Sequence, residues 1–90
     1  MTQTRWKPDL YIISRFLETL WLGHKNYKKT NLQMAVKLNY DVYMKYFRWL
    51  EEKGLITAYM ENGHQYVKIT TEGVKVFDTI VRWIKETIGE

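Results

Sequence analysis

The spacing of apolar residues changes twice along this chain, and these changes constrain the fold more than any other feature. In the first half, apolar residues recur every three or four positions, which is the period of amphipathic helices. Two short runs, 55–59 and 65–69, then alternate as strands do, and Asn62-Gly63 between them is typical of a tight hairpin turn. The helical period returns from about residue 72. The pattern predicts three helices, a β-hairpin and a long final helix.

Polar residues at the expected helix ends divide the first half of the chain further. A capping box of the form T-x-x-Q begins at Thr30 and predicts a second helix over about 31–38. Asp41 is a favourable N-cap residue and predicts a third helix over 41–53, which Gly54 ends. Because only a tight turn fits between these two helices, this part of the chain is predicted to form helix, turn, helix.

Length, cysteine content and the absence of catalytic motifs exclude several classes of protein. Ninety residues suffice for one compact domain, and no linker rich in Pro, Gly or Ser divides them, so we predict a single domain over 1–90. Without cysteine the chain forms no disulfide or zinc ribbon, and two histidines are too few for a typical transition-metal site. It has no phosphate-binding loop, zinc-protease motif or Ser/His/Asp grouping, so we expect no enzyme, cofactor or small-molecule ligand. Its longest apolar run, 10–13, is far shorter than the roughly 20 residues of a membrane span, and a cytoplasmic location fits the lack of cysteine.

The charge of the chain is distributed unevenly. The net charge is +4 and the isoelectric point about 9.3. Residues 1–50 contain nine Lys and Arg against three Asp and Glu, a net +6, whereas 51–90 contain five against seven, a net −2. We therefore expect the helix-turn-helix half to face a polyanion.

The final helix, predicted over 72–88, has apolar residues on two sides. One stripe contains Val74, Phe77, Val81 and Ile84, and a second, roughly opposite, contains Val76, Ile80, Trp83 and Thr87. Only one side of a terminal helix can face its own core, and an exposed row of Trp and Ile would aggregate. We therefore expect a second copy of this helix to cover the outward side. The expected dimer contacts are Val76, Ile80, Trp83, Ile84 and Thr87.

Four short motifs occur in an order typical of one family. They are Leu38-Asn39-Tyr40, Tyr46-Phe47-x-x-Leu50, Glu52-Lys53-Gly54-Leu55-Ile56 and Ile69-Thr70-x-x-Gly73. Over roughly 30–88 the chain resembles small archaeal winged helix-turn-helix DNA-binding proteins and predicted transcriptional regulators, including dimeric chromatin-associated proteins of crenarchaea. The resemblance implies an α+β fold with a three-helix core, a hairpin wing and a long C-terminal helix. It also implies that a homodimer, paired through antiparallel C-terminal helices, binds double-stranded DNA and is nucleoid-associated.

Candidate DNA contacts follow from charge and position in this fold. Lys45 and Arg48 lie one turn apart on the outward arc of helix 41–53, where each can reach a phosphate or a guanine edge in the major groove. Asp41 caps this helix or accepts a hydrogen bond from a cytosine amino group. Lysines before the second helix add positive potential to its free N–H groups, which suits a phosphate. The candidate DNA-binding residues are Lys25, Lys28, Lys29, Thr30, Asn39, Asp41, Lys45, Arg48, His64, Gln65 and Lys68.

Other interpretations stay open at this point. The wing tip, 60–64, carries one acid and no Lys or Arg, and Trp49 faces outward on the helical wheel, which both favour a winged helix that binds a protein. We expect Trp49 to pack within the protein rather than contact DNA, and Tyr40, Tyr43 and Tyr46 to belong to the core. A non-specific architectural role on chromatin is a further alternative. RNA binding is less favoured, because the aromatic strand motifs of common RNA-binding modules are missing.

Overall fold

A computed structural model describes residues 6–23 and 26–88. Its elements are α1 (Leu10–Leu22), β1 (Tyr27–Lys28), α2 (Lys29–Val36), α3 (Tyr40–Glu52), β2 (Ile56–Glu61), β3 (His64–Ile69) and α4 (Thr71–Ile88). Three helices are thus followed by a hairpin and a long last helix, which confirms the predicted α+β fold.

The hairpin forms where the Asn-Gly signal places it. Strands β2 and β3 pair antiparallel from Ile56 opposite Ile69 to Glu61 opposite His64, which leaves a two-residue turn. Asn62 and Gly63 both have positive φ, 52° and 79°, as a type I′ turn requires. The turn chemistry and the strand register therefore agree.

A third strand, β1, was not predicted. Tyr27 pairs with Val67 and Lys28 with Tyr66, so the sheet has the order β1-β3-β2. A strand of two residues is too short to show any alternation, so the sequence pattern does not reveal it. As a consequence Lys28 lies in a strand at the edge of the sheet.

The core lies between the helices and the inner face of the sheet. Its centre is aromatic: the rings of Phe16 and Tyr43 stack with centroids 5.7 Å apart. The Tyr43 hydroxyl donates a hydrogen bond of 2.6 Å to the Lys29 carbonyl oxygen, which ties α3 to the start of α2. Burial, and secondarily the neighbouring Tyr40, raise the pKa of Tyr43 above its usual value. The buried residues of the core are Ile13, Phe16, Leu17, Leu20, Leu32, Val36, Tyr43, Tyr46, Phe47, Leu50, Leu55, Ile56, Val67 and Ile80.

Both predicted N-caps in the helix-turn-helix are wrong. Helix α2 begins at Lys29, directly after β1, so Thr30 is its second residue and not its cap. The pairing of β1 with β3 fixes the chain up to Lys28 and thereby sets the start of the helix. Helix α3 is capped by Asn39, whose Oδ1 accepts a hydrogen bond of 2.9 Å from the Val42 N–H. Asp41 lies in the first turn of α3 and leaves the capping to Asn39.

The beginning of α4 packs tightly against the hairpin. Thr70 caps the helix, as its Oγ1 accepts a hydrogen bond of 3.0 Å from the Gly73 N–H and donates one of 2.6 Å to the Gly54 carbonyl oxygen. A Cβ atom at Gly73 would lie 2.2 Å from the Leu55 carbonyl oxygen and 2.6 Å from a side-chain carbon of Ile69. Glycine is therefore required here for close approach of helix and strand.

The inward side of α4 differs from the prediction. Ile80 is only 9% exposed and belongs to the core, with Val76, Phe77 and Ile84 packed against it. The assignment of Ile80 to the outward stripe is therefore wrong. Two apolar stripes are present on the wheel, and only the placement of α1 and β3 against α4 decides which side is buried.

Candidate nucleic-acid interface

The outward side of α3 presents one row of four charged side chains. Asp41, Lys45, Arg48 and Glu52 are four, three and four residues apart, and all four are exposed. Within residues 6–23 and 26–88 the ion pairs shorter than 4 Å are Lys75–Glu72 and Arg82–Asp78, both on α4. The two cations of α3 therefore point to solvent unpaired, as predicted for a DNA contact.

The N-terminal ends of α2 and α3 meet at a shallow groove beside this row. Lys29, Thr30 and Gln33 line one side of the groove, and Tyr40 and Met44 line the other. Tyr40 is 61% exposed, so its predicted place in the core is wrong. It is the first residue of α3, and the buried residues of that helix begin only at Tyr43. The position of Tyr40 at the end of the helix is the sequence signal that could have identified it as a surface residue.

The lysines that were predicted to precede the second helix do not all lie before it. Lys28 is half-buried in β1, and Lys29 is half-buried with its Nζ 4.7 Å from the centroid of the Phe47 ring. Lys25 lies outside the described residues. Lys28 lines a depression between the sheet and α2, together with Asn31 and Tyr66. The structure therefore places two of the three lysines at the start of α2, next to exposed Thr30.

The predicted wing residues His64, Gln65 and Lys68 are all exposed. His64 is the first residue after the turn, and Lys68 lies four residues further along β3, roughly 13 Å at the rise of a strand. The Lys68 Nζ is 5.6 Å from the centroid of the Tyr59 ring on the outer face of the sheet. The tip itself carries Glu61, so positive charge on the wing is set back from its tip.

An aromatic cluster connects α3 to the segment that precedes α1. The ring of Trp6 lies edge-on to Tyr46, with centroids 5.1 Å apart, and to Trp49, with centroids 6.3 Å apart. The Tyr46 hydroxyl also accepts a hydrogen bond of 2.8 Å from the Asp9 N–H. We call Trp6, Tyr46 and Trp49 the Trp6 cluster. Trp49 is half-buried here, which confirms that it packs within the protein.

Most of the exposed apolar side chains of α1 and α4 lie on a different surface, where these two helices run antiparallel. Leu10 and Tyr11 border a cavity with Trp83 and Ile84 at one end. At the other end Trp21 borders a groove with the beginning of α4. We call this surface the α1/α4 face. Its side chains exposed by about half or more are Leu10 (50%), Tyr11 (71%), Trp21 (49%) and Trp83 (53%).

Two other features are absent from residues 6–23 and 26–88. Their helices are too short or too polar to span a bilayer. The same residues contain no group of three or more His, Cys, Asp or Glu side chains that could hold a metal ion.

Comparison with known proteins identifies the fold family. A family model described as winged helix-turn-helix matches residues 8–87. The chain belongs to the winged helix-turn-helix family. In the terms of this family, α2 and α3 form the helix-turn-helix, α3 is its second helix, and β2 with β3 forms the wing. A search of curated proteins found no match.

Solved structures with this winged-helix fold include two regulators and a DNA-binding protein. F93 from STIV, described as a winged-helix DNA-binding protein, has a TM-score of 0.77 at 14% identity over 93% of this chain and 98% of its own. MepR, a transcription regulator of the Staphylococcus aureus multidrug efflux pump MepA, has a TM-score of 0.73 at 18% identity over 84% of this chain and 58% of its own. The MarR-family transcriptional regulator SPO1453 from Silicibacter pomeroyi has a TM-score of 0.64 at 16% identity over 83% and 54%. This chain thus spans less than two thirds of MepR and SPO1453, and at these identities the likeness establishes the fold.

Proposed function

We propose that this winged helix binds double-stranded DNA as a homodimer and regulates transcription, with α3 in the major groove. The observation that carries the proposal is the pair Lys45 and Arg48, exposed and unpaired among the described residues on the second helix of the helix-turn-helix. Two neighbours in fold support it, since F93 is a DNA-binding protein and one MepR mutant was solved bound to an oligodeoxyribonucleotide.

The charged row of α3 supplies the contacts that read bases. Arg48 can donate two hydrogen bonds to the O6 and N7 atoms of a guanine, and Lys45 can reach a guanine or a phosphate. Because Asn39 caps the helix, both carboxylate oxygens of Asp41 remain available to accept from a cytosine amino group. Tyr40, exposed at the same end of α3, adds an apolar surface for a thymine methyl group.

The start of α2 supplies contacts to phosphates. No side chain among the described residues caps this helix, so its first N–H groups are free to receive an anion. Lys28 and Lys29 flank these groups and Thr30 is exposed beside them, and Lys25 stays a predicted contact. Asn39 uses its Oδ1 atom for the cap of α3, which leaves only its amide nitrogen for a phosphate.

The wing contributes a weaker contact. Gln65, His64 and Lys68 can reach the backbone or the minor groove beside α3, but Glu61 at the tip repels phosphate. We therefore assign most of the DNA affinity to α2 and α3.

The homodimer forms through the α1/α4 face. Three residues from the predicted set, Trp83, Ile84 and Thr87, border this face or lie beside it, whereas Ile80 is buried in its own protomer and Val76 packs against the core. Exposed Trp, Tyr and Leu side chains gathered on one surface are typical of a protein interface. The contacts of α4 are thus supplemented by Leu10, Tyr11 and Trp21 of α1.

A salt titration of DNA binding tests the proposal. If each subunit neutralises roughly three to five phosphates, the log–log slope of affinity against salt for the dimer is on the order of −5 to −9. A flat response would refute DNA binding and favour a protein partner. The double variant Lys45→Ala/Arg48→Ala should lose affinity, by about 1–3 kcal/mol for each contact that reads a base.

A matched control and a selection complete this test. The variant Arg82→Ala/Lys85→Ala removes the same charge from α4 and should bind as the wild type does, provided that light scattering shows the same oligomeric state. Selection from random duplexes then separates a regulator from an architectural protein. We expect an inverted repeat whose half-sites lie about 34 Å apart, or a multiple of that distance. Uniform retention of all sequences would contradict a regulator.

A further inference from the structure

Trp6 contacts one of the two side chains on which the proposed function rests. The Lys45 Nζ lies 5.1 Å from the centroid of the Trp6 ring, within the range of a cation–π contact. Trp6 in turn packs edge-on against Tyr46 and Trp49 on the same helix. Trp6 thus fixes the direction of one exposed lysine of α3 while it rests on two partly or fully buried rings.

We propose that Trp6 is a positioning residue of the DNA interface, which holds the Lys45 ammonium in the orientation that meets DNA. This inference rests on the proposed DNA binding. A lysine side chain loses much rotamer freedom when its ammonium is fixed in a complex. Because the ring already restricts Lys45 in the free protein, less freedom is lost when DNA binds.

The contact with the ring is compatible with a contact to DNA. The face of an indole attracts the ammonium electrostatically from one side, so the N–H groups on the other side of Nζ remain able to donate to a phosphate or a guanine. Lys45 is exposed, which leaves the side of the ammonium away from Trp6 open. Trp6 therefore positions the charge without neutralising it.

Arg48 provides an internal comparison. It lies one turn from Lys45 in the same exposed row, yet among the described residues it has no aromatic partner within cation–π range. If Trp6 acts through Lys45, its replacement should interact energetically with replacement of Lys45 and not of Arg48. If Trp6 only stabilises α3 as a whole, the two residues should respond alike.

Double-mutant cycles with a labelled duplex test this directly. The variant Trp6→Leu keeps an apolar side chain over Tyr46 and removes the ring. We expect Trp6→Leu to weaken binding about two- to fivefold per subunit, which is part of the cost of immobilising a lysine side chain that the ring removes beforehand. In the Lys45→Ala background the same change should have less than about a twofold effect, whereas in the Arg48→Ala background it should keep its full effect. Trp6→Phe, which retains a weaker ring, should recover part of the loss.

The slope of DNA affinity against salt concentration gives a second measurement, which responds differently to a lost charge and to a loss of folding. Trp6→Leu should leave the slope unchanged, because no charge is removed, whereas Lys45→Ala should reduce it by about 1 per subunit. Circular dichroism melts of each variant establish whether it is folded. If Trp6→Leu is unfolded, Trp6→Phe takes its place in the double-mutant cycle. Unchanged binding by the Trp6 variants, or equal coupling to Arg48, would overturn the positioning role while the proposed function stands. Failure of the wild type to bind any duplex would refute the proposed function, and the inference with it.

Discussion

Replacing Gly73 by alanine should destabilise the fold, although alanine is the better helix former. Gly73 lies inside α4, where the change from Gly to Ala ordinarily stabilises by about 1 kcal/mol. At this position the added Cβ would lie 2.2 Å from the Leu55 carbonyl oxygen and 2.6 Å from an Ile69 side-chain carbon. Contacts this short cannot persist, so α4 or the start of the hairpin must shift.

The magnitude follows from which atoms have to move. The closest atom is a backbone oxygen, which also accepts a hydrogen bond of 3.0 Å from the Thr70 N–H. It cannot rotate away as a flexible side chain would, and moving it strains the cap of α4. Overpacking costs about 1–3 kcal/mol, and because a backbone oxygen has to move we place Gly73→Ala in the upper part of this range, above the gain in helix propensity. We expect a net loss of about 1–2 kcal/mol for Gly73→Ala, or about 4–16 °C in melting temperature for a domain of this size.

Urea denaturation followed by circular dichroism measures this loss. The control is Thr79→Ala, an exposed substitution within the same helix, which should change the unfolding free energy by about 0.5 kcal/mol or less. Both variants and the wild type are compared at one protein concentration, since dimerisation contributes to the apparent stability. A Gly73→Ala protein as stable as the wild type, or more stable, would refute the close packing of α4 on Leu55.

Three further predictions follow from burial, capping and charge. Trp83→Glu should give a folded monomer by light scattering, whereas Ile80→Glu should lose the cooperative melting transition because a carboxylate enters the core; a folded monomer from Ile80→Glu would contradict its buried position. Asn39→Ala should cost about 1 kcal/mol in urea denaturation through loss of the α3 cap, and Thr30→Ala clearly less; equal costs would contradict the capping pattern. The pKa of Tyr43 is higher in the folded protein than the value of about 10 that it has in the unfolded chain. The stabilisation that this difference contributes is therefore complete below about pH 10, and the unfolding free energy should fall as the pH rises above that value. Tyr43→Phe should reduce that decrease, which denaturation between pH 9 and 11 can detect.

The features that local chemistry decides were predictable from the sequence. The Asn62-Gly63 turn sets the register of the hairpin by itself, because both residues accept positive φ. Lys45 and Arg48 could be placed on the outward side of α3, since the opposite side of that helix carries a continuous aromatic and aliphatic stripe. In both places one short segment contains all the information.

The features that needed a distant partner were not predictable. Strand β1 has two residues and exists only because β3 offers an edge to pair with. Thr30 has the sequence of a cap, but that pairing starts the helix at Lys29, two residues earlier than predicted. The wheel of α4 shows two apolar sides, and the contact with α1 and the sheet selects the one that contains Ile80. Trp6 stands outside any periodic segment, so no pattern could connect it to α3.

The charge of the α3 row bears on the kind of DNA binding that we propose. Two carboxylates and two cations give Asp41, Lys45, Arg48 and Glu52 a formal sum of zero. A row without net charge adds little to the non-specific electrostatic attraction to a duplex. Its carboxylates repel phosphates unless they accept a hydrogen bond from the amino group of a base. The non-specific part of the affinity must then come from Lys28, Lys29 and the other cations of the first half. A surface divided in this way discriminates between sequences, which favours a regulator over a protein that coats DNA irrespective of sequence.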